Sequence, residues 1–372
     1  MATRAKINKE VLLWARASAG YSEEETANSA GISLERYNDI ESIHTDELPT
    51  INQLRKIANK LKRPINFFFM PFVPKTDERK LTDFRSKENG GVLSPSTKIS
   101  IRSASEYRDE YLSLTMLSGE KTPKFPLSWS TKENPDDIAK DIRSTLGISI
   151  EEQLNWRGDY TPLNFWKEAF ERIGILIFQF TIPTTELRGV SVYNEVLPLI
   201  ILSSSDSPLG RVFGLFHELS HLGLREGGVC DQNANSNIEV FCNSVAGASL
   251  IPREHFEGRL GKKIREWDDQ EISVFCRDYS VSRFVVLRRI LEIGKTTEEF
   301  YARKHRQWSA QILTRSSGQV PPYRKTISKF GKSYIRTVLE NYYSDRINLS
   351  DVSQRLGVKV KHLSKIESEV FK

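Results

Sequence analysis

A chain of 372 residues, 38% hydrophobic and 27% charged, has the composition of a globular protein of two or three domains, and no run approaches the roughly 18 apolar residues of a membrane span. The opening Met1-Ala2-Thr3-Arg4-Ala5-Lys6 lacks a secretory apolar core, and Cys230, Cys242 and Cys276 match no zinc-knuckle spacing, so a reducing cytoplasm is the expected setting. The net charge of +6 is uneven: from Arg303 to Lys372, 15 Lys and Arg stand against 5 Asp and Glu, which argues for a polyanionic partner, nucleic acid first, with a solvated face or a dock for an acidic protein as the alternative.

Residues 1–72 read as a compact helical domain. A short amphipathic helix from Val11 closes at Gly20, Ser22 caps a second helix that Gly31 ends, and Ser33 opens a third running to Glu41. Thr50 opens a fourth, which Arg63-Pro64 terminates. This helix, Gly turn, helix succession resembles the Xre/Cro-type helix-turn-helix, which would present residues 33–41 to the major groove, with Ser33 and Arg36 as candidate nucleic-acid contacts. Charge speaks against that role. Glu35, Asp39 and Glu41 crowd the same helix, and residues 1–72 hold 10 Lys and Arg against 9 Asp and Glu, so a module for dimerisation, giving a homodimer, or for holding a partner is the alternative.

Residues 73–125 read as a connector, polar and Gly/Ser/Pro-bearing over 77–96, then a long helix over 97–119. The next domain is expected over 126–302. It opens with a helix from Asp136 to a Gly147 stop, and a second over Leu163–Glu171 feeds a strand at 175–180. Strands at 189–193 and 197–202 flank Asn194-Glu195 as a hairpin.

His217-Glu218-Leu219-Ser220-His221 lies in the apolar run from Val212 to Leu222. On a helix, positions i and i+4 share a face, so both imidazoles can hold one metal ion, and Glu218 can serve a water there as general base. A catalytic zinc wants a third protein ligand. Downstream, apolar residues at 238, 241, 242, 245, 246 and 250 mark a second helix ended by Pro252, and Glu239 in its first turn is the candidate, giving a His2Glu site of the thermolysin type. The order helix, small sheet, metal helix, ligand helix is an α+β layout, in which the strand at 189–193 is the candidate edge for an extended peptide. Between the two helices, 225–237 has no apolar period and reads as an exposed loop, a connector or a gate.

Helices at 271–279 and 282–290 form a further pair around Ser280-Val281. The last segment, 303–372, is a basic helical unit: after Ile335–Leu339, the run Ser350 to Lys359 repeats the cap, helix, Gly turn pattern. Lys359, Lys361 and Lys365 follow that turn as candidate nucleic-acid contacts.

Arg211 to Leu222, with Glu239-Val240-Phe241-Cys242-Asn243 and Leu250-Ile251-Pro252, resembles the ImmA/IrrE family of metallopeptidases. That family shows a HELGH-type helix, then an ExxAN-type helix ending in a Leu-Met-Pro-like turn. The resemblance extends upstream through Glu171–Phe178, Arg188-Gly189-Val190-Ser191 and Leu197–Leu202. It implies a zincin-like fold, zinc held by His217, His221 and Glu239, and Glu218 as the catalytic glutamate. Ser220 stands for the usual Gly and Cys242 for the usual Ala; both are small.

The function so implied is a zinc-dependent metalloendopeptidase coupled to helix-turn-helix elements, a transcriptional regulator that cleaves or holds a repressor or partner protein. Relatives with an N-terminal Xre-type domain also imply a second reading. In it the chain is the antitoxin of a type II toxin-antitoxin pair, holding a toxin such as a PIN-like nuclease and autoregulating its operon. A DNA-binding regulator whose metal fold senses zinc or redox state is a third.

Overall fold

The computed structural model describes residues 3–74, 93–225, 235–310 and 320–371, the side chains of Asn235 and Ser236 excepted. Most of the connector expected at 77–96 and of the loop at 225–237, with Cys230, lies outside the described residues. The chain divides into two compact units, Met1–Ser103 and Ala104–Lys372. Among the described residues, no helix is long and apolar enough to cross a membrane.

The first unit follows its capping residues closely. Helix α1 (Lys9–Ala19) starts at Asn8 and stops at Gly20, whose φ of 78° suits a residue without Cβ. Helix α2 (Glu23–Ala30) opens with a Ser22/Glu25 capping box, and Gly31 at φ 73° turns the chain into α3 (Leu34–Glu41). Helix α4 (Ile51–Leu61) opens with a second box, Thr50/Gln53, and a 3-10 turn over Ile65–Phe69 follows. Leu12, Ala15, Ala27, Tyr37, Ile40, Leu54, Ile57, Leu61 and Phe68 form its core. One of the three acids of α3 is turned inward: Glu41 is buried, paired with Arg16 at 2.7 Å and accepting from the Tyr37 hydroxyl at 3.0 Å.

The division falls inside α5 (Pro95–Ser118), whose residues from Ala104 belong to the second unit. There follow α6 (Pro135–Leu146), α7 (Ile150–Leu154), α8 (Thr161–Arg172) and a three-stranded sheet. Strands β1 (Leu176–Phe180), β2 (Gly189–Val192) and β3 (Leu199–Ser203) lie in the order β1-β3-β2. β3 is parallel to β1 and antiparallel to β2, so the expected hairpin is present and β2 forms an edge. β3 begins two residues later than expected because Leu197 takes φ 51° and leaves the extended conformation before it. β3 is buried along its whole length and β1 over all but Phe180, which explains their near-continuous apolar runs.

Beyond the sheet run α9 (Pro208–Leu224), α10 (Asn235–Leu250), α11 (Arg253–Leu260), α12 (Asp269–Tyr279), α13 (Arg283–Glu292) and α14 (Glu298–Ser309). The helix pair expected near 271–290 is α12 and α13, with Ser280 at φ 55° between them. Val285, Val286, Leu287 and Ile290 bury the face of α13 in the main core. The chain ends with α15 (Pro322–Tyr343), α16 (Leu349–Leu356, capped by Asn348) and α17 (Leu363–Val370). The segment 303–372, set apart in sequence by its charge, thus contributes α15 to this same unit, packed on β1 and α8. Helix α15 is broken at Gly331 (φ 74°, ψ 171°). Around the break, Lys167 and Gln179 donate to the Ser328 carbonyl at 3.1 and 2.8 Å, and Glu171 accepts from the Ser333 amide at 2.9 Å. These buried groups satisfy backbone polar groups freed when a helix ends and restarts.

Candidate metal centre

Helix α9 begins with Ser207 accepting from the Gly210 amide at 3.0 Å and with Pro208 in its first turn. Val212, Leu215, Phe216, Leu219 and Leu222 are fully buried, each side chain worth about 1.5–3 kcal/mol. Phe216 meets Trp166 and Phe170 edge-on at 4.7 and 5.2 Å. With that stripe fixed in the core, the helical period leaves His217 and His221 on an adjoining face. Trp129 locks the far end: its indole donates to the Ser220 carbonyl at 3.1 Å, and a Cβ on Gly223 would fall 2.1 Å from the ring. Ser220 is buried and turns its hydroxyl back to the Phe216 carbonyl at 2.8 Å.

The ligand helix is held from its other end. Three successive carbonyls at the C-terminus of α10 are capped by buried side chains: Arg143 donates to Ser249 at 3.0 Å, Gln153 to Leu250 at 2.9 Å and Arg289 to Ile251 at 2.9 Å. Two cations there also oppose the negative end of the helix dipole. Glu239 stands one turn into α10, slightly deeper than the expected first turn.

The two helices bring His217, His221 and Glu239 together. Among the described residues, their ligand atoms form a group within 4.8 Å of one another. His217 Nε2 is 3.2 Å from Glu239 Oε2, His221 Nε2 is 3.3 Å from Glu239 Oε1, and the two Nε2 atoms are 3.2 Å apart. Charge-assisted hydrogen bonds are shorter, about 2.7–2.9 Å. Ligand bonds of about 2.0–2.1 Å in a tetrahedral set put neighbouring donor atoms about 3.3–3.4 Å apart; the two imidazole nitrogens, 3.2 Å apart, lie near that edge, and the carboxylate offers a different oxygen to each of them. The donor set, two imidazoles and one carboxylate, also suits zinc. Burial raises the Glu239 carboxyl, but the two imidazoles beside it outweigh that and hold it below the usual carboxylate range. His217 Nδ1 lies 3.1 Å from the Asn243 amide oxygen, an acceptor that favours a proton on Nδ1 and turns Nε2 toward Glu239 and His221.

Glu218 is buried and points to the edge strand. Its Oε2 accepts from the Ser191 hydroxyl at 2.8 Å, and a Cβ on Gly189 would stand 3.0 Å from its Oε1. Gly189 and Ser191, two apart on β2, share the face that meets α9. The Ser203 amide donates to the Arg188 carbonyl at 2.8 Å. By the antiparallel alternation, the backbone N–H and C=O groups of Gly189 and Ser191 therefore point away from β3, along the edge.

The candidate nucleic-acid contacts lie elsewhere. Ser33 spends its hydroxyl as the N-cap of α3, accepting from the Arg36 amide at 3.3 Å, and Arg36 is paired with Glu47 at 3.2 Å. Lys359, Lys361 and Lys365 are exposed, and Lys365 Nζ stands 5.8 Å from the Tyr323 ring centroid. In the sequence Asn243 enters only through the ExxAN-type resemblance, and Gly189 and Ser191 only as strand and candidate peptide edge, none with a role toward His217 or Glu218. A lone serine in a strand gives no sign of the glutamate that folding brings to it.

Residues 170–291 match the family model described as the IrrE N-terminal-like domain, Peptidase_M78. The match runs from α8 into α13 and includes the sheet, both metal-site helices and Glu218. No curated protein and no solved structure matches the chain. The matched domain is similar to a family of peptidases with regulatory members, and its fold here is α+β, mostly helical with one small sheet.

Proposed function

We propose that this chain is a zinc-dependent endopeptidase that acts on a protein partner and is tied to transcriptional control through helix-turn-helix elements. The observation that carries this reading is the convergence of His217, His221 and Glu239 beside a buried Glu218 that faces an edge strand. When bound, zinc would supply Lewis-acid polarisation of the scissile carbonyl and lower the pKa of water. The protein supplies the rest. The edge of β2 takes an extended peptide by strand addition, its outward Gly189 and Ser191 backbone groups setting the register. Glu218 accepts the proton of the attacking water and delivers it to the leaving amine. The burial of Glu218 excludes bulk water from that transfer.

Nucleic acid is assigned to the C-terminal face, where Lys359, Lys361 and Lys365 are exposed near the turn between α16 and α17. On α3, Arg36 is engaged by Glu47 while Glu35 and Asp39 stay exposed. An anionic backbone would favour the former.

N-terminal profiling of cells producing either the natural chain or Glu218→Gln tests the peptidase reading. New termini that require Glu218 are expected. Identical profiles, with a protein partner still retained by both chains, would instead favour a binding scaffold of the antitoxin kind.

A further inference from the structure

We propose that Ser191 is a positioning residue for Glu218, so that the strand receiving the peptide also sets the general base. This rests on the peptidase reading and adds to it. A glutamate side chain has several rotatable bonds, and a base acts only within hydrogen-bond reach of the proton it takes. Here the carboxylate is bracketed. Its Oε2 is fixed by the Ser191 hydroxyl at 2.8 Å, while Oε1 and Cγ abut the bare backbone of Gly189, where a Cβ would lie at 3.0 and 3.1 Å. Glu218 is 4% exposed, so water does not stand in easily for a lost hydroxyl.

The same two residues carry the backbone groups directed along the open edge of β2. A peptide seated on that edge would therefore press on the strand that holds the base. Val190, between them, faces the other way and is buried, which keeps the strand from rotating.

Cobalt(II) in place of zinc gives a visible d–d spectrum, and acetohydroxamate binding to it is aided by a carboxylate that takes the hydroxamate proton. The full chain, Ser191→Ala, Ser191→Thr, Glu218→Gln and the Ser191→Ala/Glu218→Gln double variant are titrated with acetohydroxamate. Ser191→Ala should weaken binding about tenfold, the loss of one hydrogen bond to a charged group. Ser191→Thr should recover to within about threefold of the natural chain, and cobalt stoichiometry should not change. In the Glu218→Gln background, Ser191→Ala should add little. Natural affinity in Ser191→Ala, or an equal loss with and without Glu218, would overturn the proposal. Failure to develop a cobalt band in the natural chain would overturn the metal reading beneath it.

Discussion

Asn243, whose amide oxygen lies 3.1 Å from His217 Nδ1, orients that imidazole from the side away from Glu239. Asn243→Ala should lower zinc affinity about 10- to 100-fold, measured by competition with a chromophoric chelator, whereas Asn243→Asp should retain most of it. Unchanged affinity in Asn243→Ala would mean that His217 is oriented by other contacts. Glu239→Ala should weaken zinc far more, since only two ligands remain. Glu195→Ala should not, because Glu195 is exposed and paired with Lys124 on the surface. Part of this scale was legible: two histidines four residues apart share one helix face, and Glu239 stood out in the helix that follows. The partners of those residues were not legible. Ser191 lies 27 positions from Glu218 and Trp129 lies 91 from Ser220, and only the fold supplies those distances.

The break in α15 joins residues that the sequence keeps apart. Gly331→Ala would need an L side chain at φ 74°, ψ 171° and would place a Cβ 2.0 Å from Glu171 Oε1. A loss of about 2–4 kcal/mol in unfolding free energy is expected, read from denaturant titration; a neutral result would show that Glu171 can swing aside. Burial depresses the Lys167 ammonium to about 8 from its ordinary 10.5, and Lys329 likewise to about 8. Between pH 8 and 10.5 the unfolded chain therefore holds protons that the folded chain has released. Unfolding takes protons up, and stability rises with pH across that window, each fully displaced proton contributing about 1.4 kcal/mol per unit. The buried Cys276 thiol, pushed up to about 12, opposes this above pH 9, so the test is the difference between chains: from pH 8 to 10, thermal melts should show a less favourable change with pH in Lys167→Met than in the natural chain. An unaltered slope in that variant would contradict the assignment. Capped, amphipathic helices such as α2, α4 and α6 were readable. Helices α11 and α14 were not, the first having no side-chain cap and a glycine inside, the second burying little beyond Phe300 and Trp308.

For the whole chain, charge marked the C-terminal segment but not where it packs. Phe330, Tyr334, Ile335, Val338 and Leu339 of α15 are buried, and Phe330 and Tyr334 meet Phe178 of β1. Truncation before α15 would therefore strip the sheet as well as the basic face, so it is a poor test of nucleic-acid binding. Substitution is the cleaner one. Lys359→Gln, Lys361→Gln and Lys365→Gln together should leave the melting temperature within a few degrees and lower DNA affinity. The log–log salt slope should fall by about one for each phosphate no longer neutralised. If the slope is unchanged while Arg36→Gln abolishes binding, the reader is α3. Local periodicity showed α16, Gly357 and the lysines beyond; the cover that α15 gives β1 depends on partners more than a hundred residues distant, where no pattern reaches.

Three side chains set to hold one metal and a fourth set to work on water are told apart by metal analysis of the purified chain. About one zinc per chain is expected. Glu218→Gln should keep that zinc, while His217→Ala, His221→Ala and Glu239→Ala should each lose it on dialysis. Equal loss in Glu218→Gln and His217→Ala would contradict the division of roles, and stoichiometric zinc in Glu239→Ala would place the third ligand elsewhere.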